Sequence, residues 1–191
     1  MQGAVFPRLF VGGGQSYYGP TAERDKLVVQ KTAQLLFSAL GNSIEIVTGG
    51  TAGIPEDFAL AWHKAGGLHV LCVVSLEYEQ EYLFRSLPFK HIIVGETQLK
   101  RRIAVTKLEQ IKSALFVQGG KFSTHEMKLL EECGVPLVTF WGSGGAAGGQ
   151  QPYENYVYTN KPVNPVLQSS DPLDDPEIIA AALVQAIKLQ F

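Results

Sequence analysis

The chain alternates short apolar runs, glycine-containing turns and amphipathic stretches along almost its whole length. Short apolar runs between turn residues are typical of β-strands, and apolar residues three to four positions apart are typical of helices. The predicted strands are 8–11, 44–48, 69–74, 91–94, 114–118 and 135–140. The predicted helices are 21–40, 55–65, 97–112, 123–132 and 176–189. Because strands separated by helices join through right-handed crossovers, the pattern predicts an α/β three-layer sandwich, with a mainly parallel sheet of about six or seven strands and helices on both faces.

Two stretches lack a clear period. Residues 77–90 are polar and aromatic, and we interpret them as a loop with room for a short helix. Residues 150–175 are polar and interrupted by prolines, with a short strand as an option at 166–167. The 191 residues are expected to form a single domain over 1–191, which is long enough to bury roughly 70% of the surface of the unfolded chain.

Charge and cysteine content narrow the partners and the compartment. The formal net charge of −2 gives no overall attraction to nucleic acid or to anionic lipid, so we expect neither nucleic acid nor a membrane as a partner. Cys72 and Cys133 fit neither a disulfide framework nor a metal site, which favours a reducing, cytoplasmic setting. The first residues lack a secretory signal pattern, and no apolar run approaches the roughly 20 residues of a membrane span.

Glycine clusters follow four of the predicted strands, at 12–14, 49–53, 119–120 and 142–149. In parallel sheets of this kind, the ligand crevice lies outside the carboxyl ends of the strands. A single cluster would satisfy a tight turn, whereas four on one edge favour a binding crevice. The residues expected to bind the ligand are Gly12, Gly13, Gly14, Gln15, Gly49, Gly50, Thr51, Gly53, Arg101, Gly119, Gly120, Lys121, Ser123, Thr124, Gly142, Ser143 and Gly144.

The stretch 117–126 predicts a strand, a phosphate-sized glycine turn and a helix start. Backbone N–H groups at a helix start have no intrahelical partner and lie at the positive end of the helix dipole, so they favour an anion. Ser123 and Glu126 have the spacing of a capping box, in which both side chains satisfy backbone donors. The same carboxylate beside a cavity suits a general acid or the stabilisation of a cationic sugar. The sequence alone favours the cap and leaves both roles open.

The basic triplet 100–102 also has two interpretations. Most such triplets are a solvated helix face. An arginine is nevertheless well suited to a phosphate, because its planar guanidinium bonds two oxygens at once. Arg101, Arg102 and Lys121 are therefore candidates for anion binding.

Several catalytic signatures do not occur in the sequence. There is no cysteine or histidine cluster with metal-ligand spacing, no Gly-x-Ser-x-Gly elbow and no Walker-type phosphate loop. The turn 12–15 lacks the full dinucleotide fingerprint, which disfavours a dehydrogenase. The sequence predicts neither a metal nor a cofactor.

Two glycine motifs resemble those of the Lonely-Guy-like superfamily, also called SLOG, and the likeness covers nearly the whole chain. The turn 49–54 reads Gly-Gly-Thr-Ala-Gly-Ile, similar to the family's Gly-Gly-x-x-Gly-hydrophobic turn. The stretch 119–126 is similar to the family's Gly-Gly-x-Gly-Thr-x-x-Glu. Phe122 replaces its third glycine and Ser123 its threonine. The arginines before the fifth strand also lie about where the family has its site arginine.

This resemblance implies a Rossmann-like fold, assembly as a homodimer or larger homo-oligomer, and a small-molecule partner that is a nucleotide or a phosphorylated sugar. Some members cleave the N-glycosidic bond of a nucleoside 5′-monophosphate, releasing the base and ribose 5-phosphate. Carried over to this chain, Glu126 takes the catalytic carboxylate role, and Arg102, or Arg101, takes the arginine role. Two alternatives are a non-catalytic sensor of an ADP-ribose-like or cyclic nucleotide, which Phe122 favours, and a ribosyl or deoxyribosyl transferase.

Overall fold

Six parallel strands form one sheet in the computed structural model, which describes residues 6–77 and 89–191. The strand order across the sheet is β4-β3-β2-β1-β5-β6, and all five neighbouring pairs are parallel. The strands are β1 (Arg8–Gly13), β2 (Glu45–Thr48), β3 (Val70–Val74), β4 (Lys90–Ile93), β5 (Ile111–Val117) and β6 (Leu137–Phe140).

Within the described residues, five α-helices connect or follow these strands. They are α1 (Ala22–Leu40), α2 (Ile54–Lys64), α3 (Gln98–Thr106), α4 (Lys121–Glu132) and α5 (Pro176–Lys188). Local sequence explains several helix starts. Pro55 and Pro176 lie in first turns, where the missing N–H costs nothing. The Asp175 carboxylate accepts a hydrogen bond of 2.8 Å from the backbone N–H of Glu177 and so caps α5.

The helices cover both faces of the sheet. Side chains alternate along a strand, so Leu9 and Val11 face one layer and Phe10 faces the other. The first core cluster includes buried residues of α1, α2 and α5, and the second includes buried residues of α3 and α4. The predicted three-layer α/β sandwich with a parallel sheet is therefore confirmed.

The sheet reverses its direction of growth at β1. Strands β2, β3 and β4 follow one another on one side of β1, and strands β5 and β6 lie on its other side. The connections that leave β1 and β5 therefore diverge, which opens a crevice between the carboxyl ends of these two strands. Both of these ends run into glycine turns.

The predicted boundary between α3 and β5 is wrong. The helix expected over 97–112 ends at Thr106, and Ile111 begins β5 instead of lying on the inner face of a helix. The Thr106 hydroxyl donates to the carbonyl of Ile103, and Gln110 adopts a left-handed φ of 67°, which turns the chain into the strand. Apolar periodicity does not reveal such a turn, because Leu108 still packs against the core.

The two stretches without a clear period differ in outcome. The optional strand at 166–167 is wrong, because Pro165–Gln168 forms a 3-10 turn. Pro165 lies in its first turn, and the Asn164 side chain accepts a hydrogen bond of 3.0 Å from the N–H of Val166. The interpretation of 77–90 as a loop falls mostly on residues 78–88, which lie outside the described residues.

Candidate functional site

A cleft of about 450 Å³ opens at the carboxyl edge of the sheet, beside the crevice between β1 and β5. This volume is in the range of pockets that hold a small molecule. Many of the predicted site residues line it together. They are Gly12, Gly13, Gly14, Gln15, Gly49, Thr51, Arg101, Arg102, Gly120, Lys121, Ser123 and Glu126.

Helix α4 starts in the wall of this cleft without a side-chain cap. Gly120 is the N-cap residue with extended backbone angles, and the first turn contains no acidic residue. The carbonyl of Gly120 accepts from the N–H groups of Ser123 and Thr124 at 2.9 and 3.2 Å. The first N–H groups of such a helix have no intrahelical partner, so this end suits an anion.

The predicted capping box is wrong. The helix begins at Lys121, two residues before the expected start, so Ser123 lies inside the first turn and cannot be the N-cap. The Ser123 hydroxyl instead donates to the carbonyl of Gly13 at 3.2 Å and links α4 to the end of β1. Glu126 is thereby free of a capping role and turns to the cleft.

Glu126 forms an ion pair with Arg101 on the cleft wall. Arg101 Nη2 donates to Glu126 Oε1, and both side chains are almost fully buried. Arg101 Nε donates to Gln98 Oε1 at 2.8 Å, which fixes the guanidinium from its own helix. Its Nη1 packs against Gly49 and has no hydrogen-bond partner in the described part of the chain. Of the two candidate arginines, Arg101 is therefore the one paired with the carboxylate.

Arg102 contacts a different set of groups. Its Nη1 donates to His125 Nδ1 at 3.3 Å, and its guanidinium lies over the Phe122 ring, 4.4 Å from the ring centroid. The His125 ring stacks on Tyr153, with centroids 4.2 Å apart. Burial, followed by the charge of Arg102, lowers the pKa of His125, which favours the neutral ring that accepts the arginine N–H.

Several predicted ligand residues support the turns without lining the cleft. Gly50 donates its N–H to the Thr48 hydroxyl at 3.1 Å. Gly53 lies directly against the backbone of Gln15. The carbonyl of Gly119 accepts from the N–H of Ala146 at 2.8 Å, and the Thr124 hydroxyl donates to the carbonyl of Gln151 at 2.5 Å. These contacts hold the glycine turns in place.

The predicted residues after β6 also lie outside the cleft lining. Gly142 approaches the backbone of Ser169 so closely that a Cβ atom would be 1.7 Å from its carbonyl oxygen. The Ser143 hydroxyl donates to the carbonyl of Phe140 and accepts from the N–H of Gln118 at 2.8 Å. Gly144 packs near the side chain of Gln150. This turn therefore braces the end of β5 from behind.

Six of the lining residues were not among the expected site residues, namely Phe10, Val11, Pro55, Glu77, Gln98 and Phe122. Two of them, Val11 and Phe122, adjoin a predicted site residue along the chain. Gln98 lies three positions before Arg101, a helical spacing that places both side chains on one face and so offered a signal. Glu77 follows β3, whose carboxyl end has no glycine cluster to draw attention to it.

A buried network behind the cleft also escaped the sequence analysis. Gln118 adopts a left-handed φ of 49° and is fully buried. Its amide nitrogen donates to Asp25 Oδ2 at 2.7 Å and to the carbonyl of Tyr18. Asp25 also accepts two hydrogen bonds from the buried guanidinium of Arg24. The network ties α1 and the loop after β1 to the strained end of β5.

Two kinds of feature are not found within residues 6–77 and 89–191. No group of three or more histidine, cysteine, aspartate or glutamate side chains is arranged to hold a metal ion. None of the described helices combines the length and the apolar character needed to cross a bilayer.

Comparison with known proteins gives matches at the level of structure. No family model matches the sequence, and no curated protein matches it. TM1055, a structural-genomics target, is 18% identical with a TM-score of 0.58 and covers 74% of this chain and 78% of its own. The Moco carrier protein from Chlamydomonas reinhardtii is 16% identical with a TM-score of 0.55 and covers 70% and 75%. Likeness at this identity concerns the fold, and the cleft fits a ligand-binding role.

The exclusion of nucleic acid as a partner needs correction. Solved structures that match part of this chain include DNA processing protein A from Streptococcus pneumoniae and from Helicobacter pylori, the latter described for its single-stranded DNA binding mode. They match 69% of this chain at 18% and 17% identity, with TM-scores of 0.49 and 0.48. The exclusion was wrong, because it rested on the net charge of the whole chain, and phosphate contacts depend on local groups of lysine and arginine.

The parallel sheet and the helix layers on both of its faces agree with the fold implied by the two glycine motifs. TM1055 and the Moco carrier protein share this α/β fold over 74% and 70% of the chain. The fold of this chain is therefore Rossmann-like, which is the fold that the sequence resemblance implies.

Proposed function

We propose that the chain binds a nucleoside 5′-phosphate in the cleft, with the phosphate at the start of α4. The observation that carries this proposal is the uncapped first turn of α4 in the cleft wall. An anion there would accept from the first N–H groups and gain from the helix dipole. Lys121 and Arg102 line the same cleft and add positive charge beside that position.

The arrangement of the remaining groups supports a ribose next to the phosphate. The turns after β1 and β2 contribute glycines to the lining, which let the ligand approach the backbone. The Arg101–Glu126 pair lies on the same wall and offers a carboxylate to a sugar. A cleft of about 450 Å³ has room for a nucleotide of this size.

A charge reversal at the start of α4 tests phosphate binding. Lys121→Glu should weaken the affinity for AMP by about tenfold, because it places a negative charge beside the phosphate. Lys128→Glu is the matched control, since it makes the same change on the same helix at a residue outside the cleft lining. Isothermal titration with AMP measures both. Equal effects of the two variants, or wild-type protein that does not bind AMP, would contradict the proposal.

Hydrolysis of the N-glycosidic bond is a second candidate, favoured by the Arg101–Glu126 pair on the cleft wall. When the bond between C1′ and the base breaks, positive charge develops on the sugar. A carboxylate beside C1′ stabilises that charge. Water then supplies the oxygen at C1′, and the base leaves with a proton. Arg101 orients the carboxylate through the ion pair.

Glu126→Gln tests this step, because it removes the charge and keeps an oxygen that accepts from Arg101. The variant should bind AMP and lose about 100-fold or more of its turnover to adenine and ribose 5-phosphate, measured by chromatography. Glu131→Gln is the control on the same helix, outside the cleft. Wild-type protein that binds AMP without forming products would favour the sensor instead. Products that require a second base would favour the transferase.

A further inference from the structure

The ring of Phe122 is an exposed apolar surface in the cleft lining, beside two cationic side chains. The side chain is 55% exposed and lines the cleft next to Lys121 and Arg102. Single exposed apolar residues on an outer surface need no explanation. This one lies in the first turn of α4, immediately beside the backbone N–H groups that suit an anion. The ring of Phe122 therefore lies next to the position proposed for the phosphate.

A buried support holds one face of this ring. The Arg102 guanidinium lies over the ring at 4.4 Å from the centroid, and the arginine itself is buried. His125 Nδ1 accepts a hydrogen bond from Arg102 Nη1 at 3.3 Å, and the Tyr153 ring in turn stacks on the His125 ring. One face is therefore covered, and with 55% of the residue exposed the ring keeps accessible surface in the lining of the cleft. Lys121 Nζ, 5.2 Å from the centroid, belongs to an exposed and adjustable side chain.

We propose that Phe122 is a stacking platform for a planar heteroaromatic ring of the ligand. The ligand class of the cleft is then a nucleotide and not a bare sugar phosphate. This inference rests on the proposed function, because it places the ring next to a phosphate at the start of α4. Nucleobases stack on aromatic side chains with little dependence on base identity, so Phe122 selects for the presence of a base.

Phe122 occupies the position of the third glycine in the family motif, and this difference bears on ligand specificity. A glycine at position 122 would leave the phosphate turn equally open but would offer the base no surface. Gly119 and Gly120 still form the turn here, with Gly119 at a φ of +94° that favours glycine. Phe122 therefore adds an aromatic surface for the base, while Gly119 and Gly120 still form the phosphate turn.

Titration of Phe122 variants with two probes tests the platform. AMP and ribose 5-phosphate share the sugar and the phosphate and differ in the base. Phe122→Leu should lower the affinity for AMP by about tenfold and leave that for ribose 5-phosphate unchanged. Phe122→Tyr keeps the ring and should retain the AMP affinity. Leu99→Ala removes a similarly exposed apolar side chain, outside the cleft lining on α3, and should change neither affinity.

The outcomes separate this inference from the function on which it rests. If the wild-type protein binds both probes with equal affinity and Phe122→Leu alters neither, the platform is refuted and phosphate binding stands. An equal loss for both probes in Phe122→Leu also refutes it, because the effect then lies at the phosphate or the fold. If the wild-type protein binds neither probe, the proposed function fails and the platform fails with it.

Discussion

Arg101 and Arg102 are neighbours in the sequence but have separate environments in the structure. Successive residues of a helix point about 100° apart, so the two guanidinium groups leave α3 in different directions. Arg101 reaches Glu126, whereas Arg102 reaches His125 and Phe122. The sequence identified both arginines as site candidates. Which of them meets the carboxylate depends on how α3 packs against α4, and the basic triplet contains no information about that.

At the same scale, the lowered pKa of His125 leads to a prediction about how the stability of the protein depends on pH. Its pKa is lowered from 6.5 by burial, then by Arg102, with Lys128 in the same direction and Glu154 and Glu126 opposing. A histidine with a lowered folded pKa contributes stability above the unfolded pKa, and this is lost as the pH falls through the folded pKa. The wild-type protein should therefore lose free energy of unfolding between about pH 8 and about pH 5.

His125→Asn keeps an acceptor for Arg102 and removes the titrating ring. Its free energy of unfolding, from urea titrations at several pH values, should fall less on acidification than that of the wild-type protein. The other titrating groups are common to both proteins, so the difference isolates His125. Parallel pH profiles would show that protonation of this ring does not destabilise the fold.

At the scale of elements, the sequence predicted all four glycine turns but did not show which of them line the cleft. The clusters after β1, β2 and β5 contribute to the cleft, and the cluster after β6 packs behind β5. All four clusters are rich in glycine, because glycine is favoured both where a ligand approaches the backbone and where two backbone segments pack closely. The start of α4 shows the same limit. Ser123 and Glu126 match a capping box, yet Gly120 begins the helix earlier.

Gly53 and Gly19 offer a matched test of close backbone contact. Their φ angles are +79° and +78°, so an alanine is strained at either position. A Cβ atom on Gly53 would lie 2.4 Å from the carbonyl carbon of Gln15, while one on Gly19 meets no described atom within 4 Å. Gly19→Ala should cost about 1–2 kcal/mol of the free energy of unfolding.

Gly53→Ala should cost more and should also weaken AMP binding, because Gln15 must move and it lines the cleft. Urea unfolding and titration with AMP measure the two effects. If both alanine variants lose the same stability and bind AMP alike, the contact between the two turns does not shape the cleft.

At the scale of the whole molecule, the sheet separates two core clusters that share its strands. Trp62 belongs to the cluster with α1, α2 and α5, and Trp141 packs against the other. Both clusters draw on β1 and β5, so we expect them to unfold together. The single domain over 1–191, the homo-oligomeric state and the cytoplasmic location remain predictions.

Helix α5 allows a test of this cooperativity. Leu183 is fully buried in the first cluster, whereas Ile178 on the same helix is 58% exposed. Leu183→Ala should cost about 2–5 kcal/mol of the free energy of unfolding. Ile178→Ala should stay within about 0.5 kcal/mol. Far-UV circular dichroism and tryptophan fluorescence should give coincident urea transitions in each protein, and separate transitions would reveal two independently folding parts.

The sequence by itself determined the layers of this protein and the edge at which its cleft lies. Apolar periodicity and glycine punctuation are local signals, and parallel strand topology converts them into a sheet with its turns on one side. The tertiary structure decided which turn lines the cleft, that Arg101 meets Glu126, and that Asp25 holds Gln118 in a left-handed conformation. These pairings join residues 25 and 93 positions apart, and local patterns cannot specify contacts that form only when helices and strands pack together.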